Sequence, residues 1–480
     1  MSTLKRFFQD TFIYGFATVL PRLMNFILVG LHTEALDRGE YSVNTTFYVW
    51  AAFFNVILTY GMETAFFRYF STSLEKSKVF STAFITITCS TILFFILVFI
   101  FREPIIEIVD LQPQFFNYLL GILALDTLVV VPFAYLRASN KPEKFAIIKI
   151  LNIAVVVILN FYFLWFVLEF PSISPEIVLS NYSDADKVGY IFIANLVASA
   201  VTFLILLPYF FKTKIQYSFT VLKQMWTYGW PIMIAGLAFV INENLDKLLL
   251  KDMISDEVMG AYSACYKLAV FMMIFIQAFK MGAEPFFFSH AKQENARQTY
   301  ATILDYFVIA GSFILVVLVV FLDFFKELLI RDESFWITIS IVPIVLLANL
   351  FLGIYHNLSV WYKLTDKTRM GMFISVFGAV ITIVLNVVMI PLFGFIAAAW
   401  ATLAAYGSMM VISYFLGRKY YPVPYNLKLI TSIVMISVIF SATSYIFFPG
   451  NYLIGSAFVF LFLLICLAVK RRELKQIFNL

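Results

Sequence analysis

The chain has 480 residues, of which 62% are hydrophobic and only 13% charged, and its mean hydropathy is +0.90. A water-soluble fold of that composition would leave large apolar areas wet, so most of its surface must face lipid. The net charge of +5 does not call for an anionic partner, because the surplus Lys and Arg sit in short loops where membrane topology accounts for them.

Fifty-six Phe residues are spread through every segment and read as lipid-facing and interfacial filling rather than a stacking platform, which argues against nucleic acid and against any cofactor. Cys89, Cys265 and Cys466 lie inside apolar runs, and His32, His290 and His356 are scattered, so no spacing suits a metal.

A membrane-crossing helix needs about 20 apolar residues. Such runs occur near 10–31, 43–67, 80–101, 115–136, 145–168 and 188–211, and again near 227–250, 258–283, 300–322, 335–357, 371–391 and 394–416. A last pair lies near 427–448 and 451–469. The first run carries Arg22 and lacks a small-residue exit, so it reads as a retained span rather than a signal peptide.

Loop charge tests this series independently. Basic loops, such as Arg68 with Lys76 and Lys78 or Arg137 with Lys141 and Lys144, alternate with acidic ones, such as Glu103 with Glu107 and Asp110. A missing or extra span would scramble that alternation, so about fourteen spans are expected, with both termini in the cytoplasm of a bacterial inner membrane.

Short motifs recur in chain order. Gly39-x-Tyr41 and Gly61-x-Glu63-x-x-Phe66-Phe67 return at identical spacing as Gly260-x-Tyr262 and Gly282-x-Glu284-x-x-Phe287-Phe288. Tyr14-Gly15 is echoed by Tyr228-Gly229, Lys141 and Asn160 by Lys367 and Asn386, and Gly189-Tyr190-Ile191 by Gly394-Phe395-Ile396. Two copies of six spans share one orientation, which implies a pseudo-two-fold axis along the membrane normal. The expected organisation is an N-terminal lobe at 1–211, a linker at 212–226, a second lobe at 227–417, and an appended helix pair with a basic tail at 418–480.

Together with the Tyr14-Gly15 entry, the Gly61 to Arg68 stretch and Asp246-Lys247 ahead of Gly260, this pattern resembles the multidrug/oligosaccharidyl-lipid/polysaccharide exporter superfamily, and within it the Wzx-type polysaccharide flippases. The resemblance covers essentially the whole chain. It implies an all-α, MATE-like membrane protein, not an enzyme, that moves undecaprenyl-pyrophosphate-linked oligosaccharide to the outer leaflet by alternating access. A glycan polymerase and chain-length machinery are the implied partners, beside membrane lipids and the lipid-linked substrate itself.

The rival readings are a peptidoglycan-precursor flippase, a MATE-type drug/cation antiporter, and a membrane-embedded glycan polymerase or transferase. The last needs clustered acids or nucleophiles at one rim, and the sequence shows no such constellation on a loop.

An ionised group in mid-membrane costs about 2.5 to 3.5 kcal/mol, so each one needs a partner or a wet cavity. Arg22, Lys247, Lys267 and Lys280 are the candidate contacts for an anionic headgroup. Asp126, Glu243 and Asp246 are candidates for binding a coupling proton or sodium ion, or for buried pairing. Glu63 and Glu284, with Arg68 and Lys280, are candidates for a cytoplasmic gate. The simpler alternative is local pairing of Glu243 with Lys247 and of Lys280 with Glu284 at i,i+4. Moving two negative charges outward releases about 4.6 kcal/mol per 100 mV, so ion coupling is not required.

Overall fold

The computed structural model describes residues 26–139, 141–211, 216–291, 293–365 and 367–469, with Leu20 and Met24, and gives the backbone alone at 285 and 289. Arg22 lies outside the described residues. The described chain is helical and contains no strand. It divides into two compact units, Met1–Ser263 and Ala264–Leu480.

In the first unit a short α1 (Phe26–Ala35) leads into α2 (Arg38–Thr59), α3 (Met62–Thr72), α4 (Lys76–Ile100), α5 (Arg102–Val109), α6 (Pro113–Ala138) and α7 (Pro142–Phe161). A π-helical turn at Tyr162–Phe166 and the short α8 (Val167–Glu169) and α9 (Glu176–Leu179) precede α10 (Lys187–Leu206), α11 (Phe219–Met253) and α12 (Asp256–Tyr266). The second unit holds α13 (Val270–His290), α14 (Ala296–Val320), α15 (Leu322–Leu329), α16 (Val342–Leu358), α17 (Val360–Leu364), α18 (Thr368–Phe393), α19 (Phe395–Tyr420), α20 (Leu427–Phe447) and α21 (Tyr452–Val469).

Eleven helical stretches among the described residues are long and apolar enough to cross a membrane. Two further long helices, α2 and α11, are not among them. Both carry polar residues along their length: Asn44, Thr45, Thr46 and Asn55 in α2, and Asn242, Glu243, Asp246, Lys247 and Lys251 in α11. The first span of the sequence reading lies largely outside the described residues, and the second is divided at Tyr60–Gly61 into α2 and α3.

That break has a local cause. Tyr60 and Gly61 both have positive φ, 34° and 73°, and a Cβ on Gly61 would stand 2.4 Å from the carbonyl oxygen of Gly229 on α11. Only glycine permits both the left-handed turn and the contact. At the other end of α2, Asp37 and Glu40 close a reciprocal capping box. Gly260 there lies so close to the Arg38 carbonyl that any side chain would displace the backbone. The repeated Gly-x-Tyr motif of the second copy thus seats α12 against the start of α2, and α11 packs along α2 and α3.

The unit boundary at Ser263/Ala264 reflects those contacts: α11 and α12 pack with the first unit, although the sequence reading begins its second lobe at 227. In the second unit, α19 buries Ala397, Ala398, Ala399, Ala401 and Ala405 against α16 and α18, where small side chains permit close helix contact. The appended helices α20 and α21 pack on α14. Ser437, Ser441 and Ser444 of α20 are buried, and Gly455 of α21 lies against Val320.

Candidate functional site

A cavity of about 660 Å³ lies within the first unit, and its lining follows from helical periodicity. From α6 come Ile122, Asp126, Val129, Val130, Phe133 and Arg137, one continuous stripe at i, i+4, i+7, i+8, i+11 and i+15. From α7 come Phe145, Lys149 and Asn152, and from α10 Asn195, Ser199 and Thr202, each at i, i+4, i+7. α2 and α3 close the ring with Phe47, Tyr48, Ala51, Asn55, Thr59 and Glu63. Five helices, α6, α7 and α10 among them strongly apolar, therefore turn their few polar residues to one place, because hydrocarbon solvates none of them.

The charges are arranged in two couples. At one end, where α6 finishes and α3 begins, Arg137 donates to Glu63 at 2.9 Å, and both side chains are nearly half exposed. Eleven residues earlier on α6, about 16 Å along its axis at 1.5 Å per residue, Asp126 faces Ser199 and the Lys149 ammonium. Lys149 rests over the Phe133 ring, 4.4 Å from its centroid. Amides and hydroxyls fill the deep end: Asn195 donates to the Tyr48 hydroxyl at 2.6 Å and Asn152 to Thr202 at 3.0 Å. The cavity thus runs from a charged, water-accessible mouth at the basic-loop ends of the helices to a polar floor in mid-span.

The structure distributes the sequence candidates over several places. Asp126 and Glu63 line this cavity. Arg68 lies over the Tyr228 ring at 4.4 Å, so the acid's partner is Arg137 instead of Arg68. Asp246 and Lys247 are buried on α11: Lys247 Nζ donates to Asp246 at 3.0 Å and to the Glu243 carbonyl, and the Tyr262 hydroxyl donates to Asp246 at 2.8 Å. A satisfied cluster of that kind holds helices together. Lys247 is engaged by the Asp246 carboxylate and by the Glu243 backbone oxygen.

Lys267 is exposed in the turn Lys267–Ala269. Lys280 lies 3.8 Å from Glu284, the i,i+4 pair the sequence suggested, and Glu284 also accepts from Lys363. Among the described residues no group of His, Cys, Asp or Glu could hold a metal ion.

Lys149, Asn152, Asn195, Ser199 and Thr202 were not singled out by the sequence reading. Lys149 stands near the start of its span, where snorkelling to the interface excuses a lysine. The legible signal was the i, i+4, i+7 polar spacing repeated on two otherwise apolar helices.

Among the described residues the second unit carries the same mouth with only a small pocket behind it. Arg137 and Lys363 each stand four residues before the echoed Lys141 and Lys367, and Glu63 and Glu284 are themselves echoes, so Glu63–Arg137 and Glu284–Lys363 are one ion pair occurring twice. Behind the second pair the pocket lined by Lys280, Glu284 and His356 measures about 10 Å³. By the same echoes Leu352 stands for Asp126 and Ser375 for Lys149, while Trp400, Ala404 and Gly407 stand for Asn195, Ser199 and Thr202. Tyr355, Trp361, Tyr362 and Tyr406 fill the core there.

The profile of the family described as "Polysaccharide biosynthesis protein" matches residues 7–290, more than half of the chain. The chain belongs to the polysaccharide biosynthesis protein family. A second profile, MatE, matches residues 231–388 of this family member. No curated protein matches it by sequence.

Among solved structures, the lipid II flippase MurJ in an inward closed conformation is 16% identical, with a TM-score of 0.70 over 96% of this chain and 99% of that one. An inward-facing multidrug resistance MATE transporter of the MOP superfamily is 12% identical, with a TM-score of 0.67 over 83% and 94%. The MATE multidrug transporter DinF-BH in complex with R6G is 16% identical, with a TM-score of 0.65 over 88% and 97%. The family member is therefore a multi-pass membrane protein with the MATE-like fold of the MOP superfamily.

Proposed function

We propose that this protein is a flippase, not an enzyme, that carries oligosaccharide linked to undecaprenyl pyrophosphate from the cytoplasmic to the outer leaflet of a bacterial inner membrane, for assembly of a surface polysaccharide. The observation that carries the reading is the first unit's cavity. Arg137 at its mouth and Lys149 deeper in suit the phosphates, and the amides and hydroxyls beyond them suit a glycan. A volume near 660 Å³ is in the range of specific small-molecule sites.

With the basic loops inside, the mouth opens to the cytoplasm, where such a substrate is made. An apolar groove of about 530 Å³ on the other side of α6, lined by Ile92, Phe95, Ile96, Phe99 and Leu128, suits hydrocarbon. In this reading both termini are cytoplasmic and a glycan polymerase receives the product.

The test is Lys149→Met with Arg137→Met in a strain carrying the gene as its sole copy. Surface glycan should disappear and lipid-linked oligosaccharide should accumulate in the inner leaflet, with the protein still in the membrane. Normal surface glycan would end this reading.

Asp126 and the MatE match favour a second reading, export of cationic compounds. It predicts that Asp126→Asn abolishes efflux of R6G from cells overproducing the protein. The flippase reading predicts no R6G efflux to abolish.

A further inference from the structure

Each basic group in the cavity faces a carboxylate on a neighbouring helix. At the mouth Arg137 is hydrogen-bonded to Glu63, and deeper in Lys149 faces Asp126 across the void. The lining acids and bases balance, two of each. A cavity built only to hold an anion would need no acids, and an acid beside each base weakens anion binding by offering the base a partner that never leaves. A transporter has to release what it binds, and for that purpose a resident competitor is useful.

The two couples differ in their freedom to rearrange. The Glu63–Arg137 pair is half exposed, so water replaces either partner cheaply. Asp126 lies beside Ser199 and faces Lys149 across the cavity without an ion pair to it, so a small rotation of its carboxyl turns it from the hydroxyl toward the ammonium or toward a sugar hydroxyl in the cavity.

We propose that Asp126 is a resident counter-charge for Lys149, displaced by the phosphate-bearing substrate on entry and restored on release, with Glu63 doing the same for Arg137 at the mouth. This rests on the flippase reading for its substrate and adds a specificity element to it. In the loaded state Lys149 and Arg137 bind phosphate oxygens and Asp126 accepts from glycan hydroxyls, so a substrate lacking the anion leaves Lys149 and Arg137 to their resident acids.

Inorganic pyrophosphate titrated calorimetrically into the detergent-purified full chain is the test. Asp126→Asn should bind it about tenfold tighter than the native protein, because Lys149 no longer has a standing partner. Lys149→Met should bind about tenfold weaker, and the double variant should match Lys149→Met alone, since the carboxylate acts only through the lysine. In cells, Asp126→Asn should lower glycan export by slowing release.

Unchanged or weaker pyrophosphate binding by a folded Asp126→Asn protein, checked by its melting temperature, overturns the exchange. Additive effects in the double variant overturn it too. Asp126→Ser, which also removes the charge, replaces the Asn variant should that one misfold. The outcomes separate the two ideas: loss of export in Lys149→Met with no tightening in Asp126→Asn refutes the exchange alone. Tightening in Asp126→Asn with normal export in Lys149→Met refutes the flippase reading.

Discussion

The first unit and its repeat-equivalent region in the second have the same entrance and opposite interiors. Both end in a glutamate paired to a basic residue from the repeat-equivalent helix segment, Glu63 with Arg137 and Glu284 with Lys363. Behind the first lies a cavity of about 660 Å³ with polar residues from five helices, and behind the second about 10 Å³ beside a packed aromatic core. The echoed ion pair thus fronts a polar cavity in the first unit and close packing in the second. Lys149 and Asp126 face a wet cavity, whereas their repeat-equivalents Ser375 and Leu352 carry no charge, so loss of the space and loss of the charges go together.

The largest effect is expected from making the first interior resemble the second. Asn195→Trp should fill the cavity and reduce export to background while leaving the melting temperature in detergent within a few degrees, since the added ring enters existing space. A collapse in melting temperature would mean that the cavity is closed in solution.

The reverse transplant probes the same contrast through stability. Ser375→Lys places a lysine at the position equivalent to Lys149 where no cavity receives it, and should destabilise by about 2.5 to 3.5 kcal/mol, read by chemical unfolding. Tolerance of that lysine would show the second interior to be more open than its packing indicates.

The smallest effect is expected at the two mouths. Glu63→Gln and Glu284→Gln each remove one partner of a partly exposed pair, and each should change stability by less than about 1 kcal/mol. Their effects on export should differ: Glu63→Gln should alter the apparent substrate affinity and Glu284→Gln should leave it as it was. Equal effects on affinity would make the two halves functionally equivalent.

Much of the frame was legible in the residues. Hydropathy runs gave the eleven stretches long and apolar enough to cross a membrane, and the Gly39/Gly260 and Glu63/Glu284 echoes marked the paired mouths, because each of these is a local pattern. The site was less legible. Asp126 and Glu63 stood out as charges in apolar helices, yet Lys247 with Asp246, equally conspicuous, forms a buried structural cluster with Tyr262. Charge alone does not distinguish a group facing a void from one facing a partner. Asn152, Asn195, Ser199 and Thr202 gave a fainter signal, since neutral polar residues in apolar helices are common and often bond only to their own backbone, as Thr202 also does to Ala198.

By itself the sequence determined the solvent, the helical class and the recurring motifs, since burial cost and helical period act within one segment. Only the tertiary structure decided which charges are satisfied and which face open space. It gave Glu63 its partner on α6 rather than five residues along its own helix, and it left the second copy filled. Those outcomes depend on the distance between helices, which no single segment encodes.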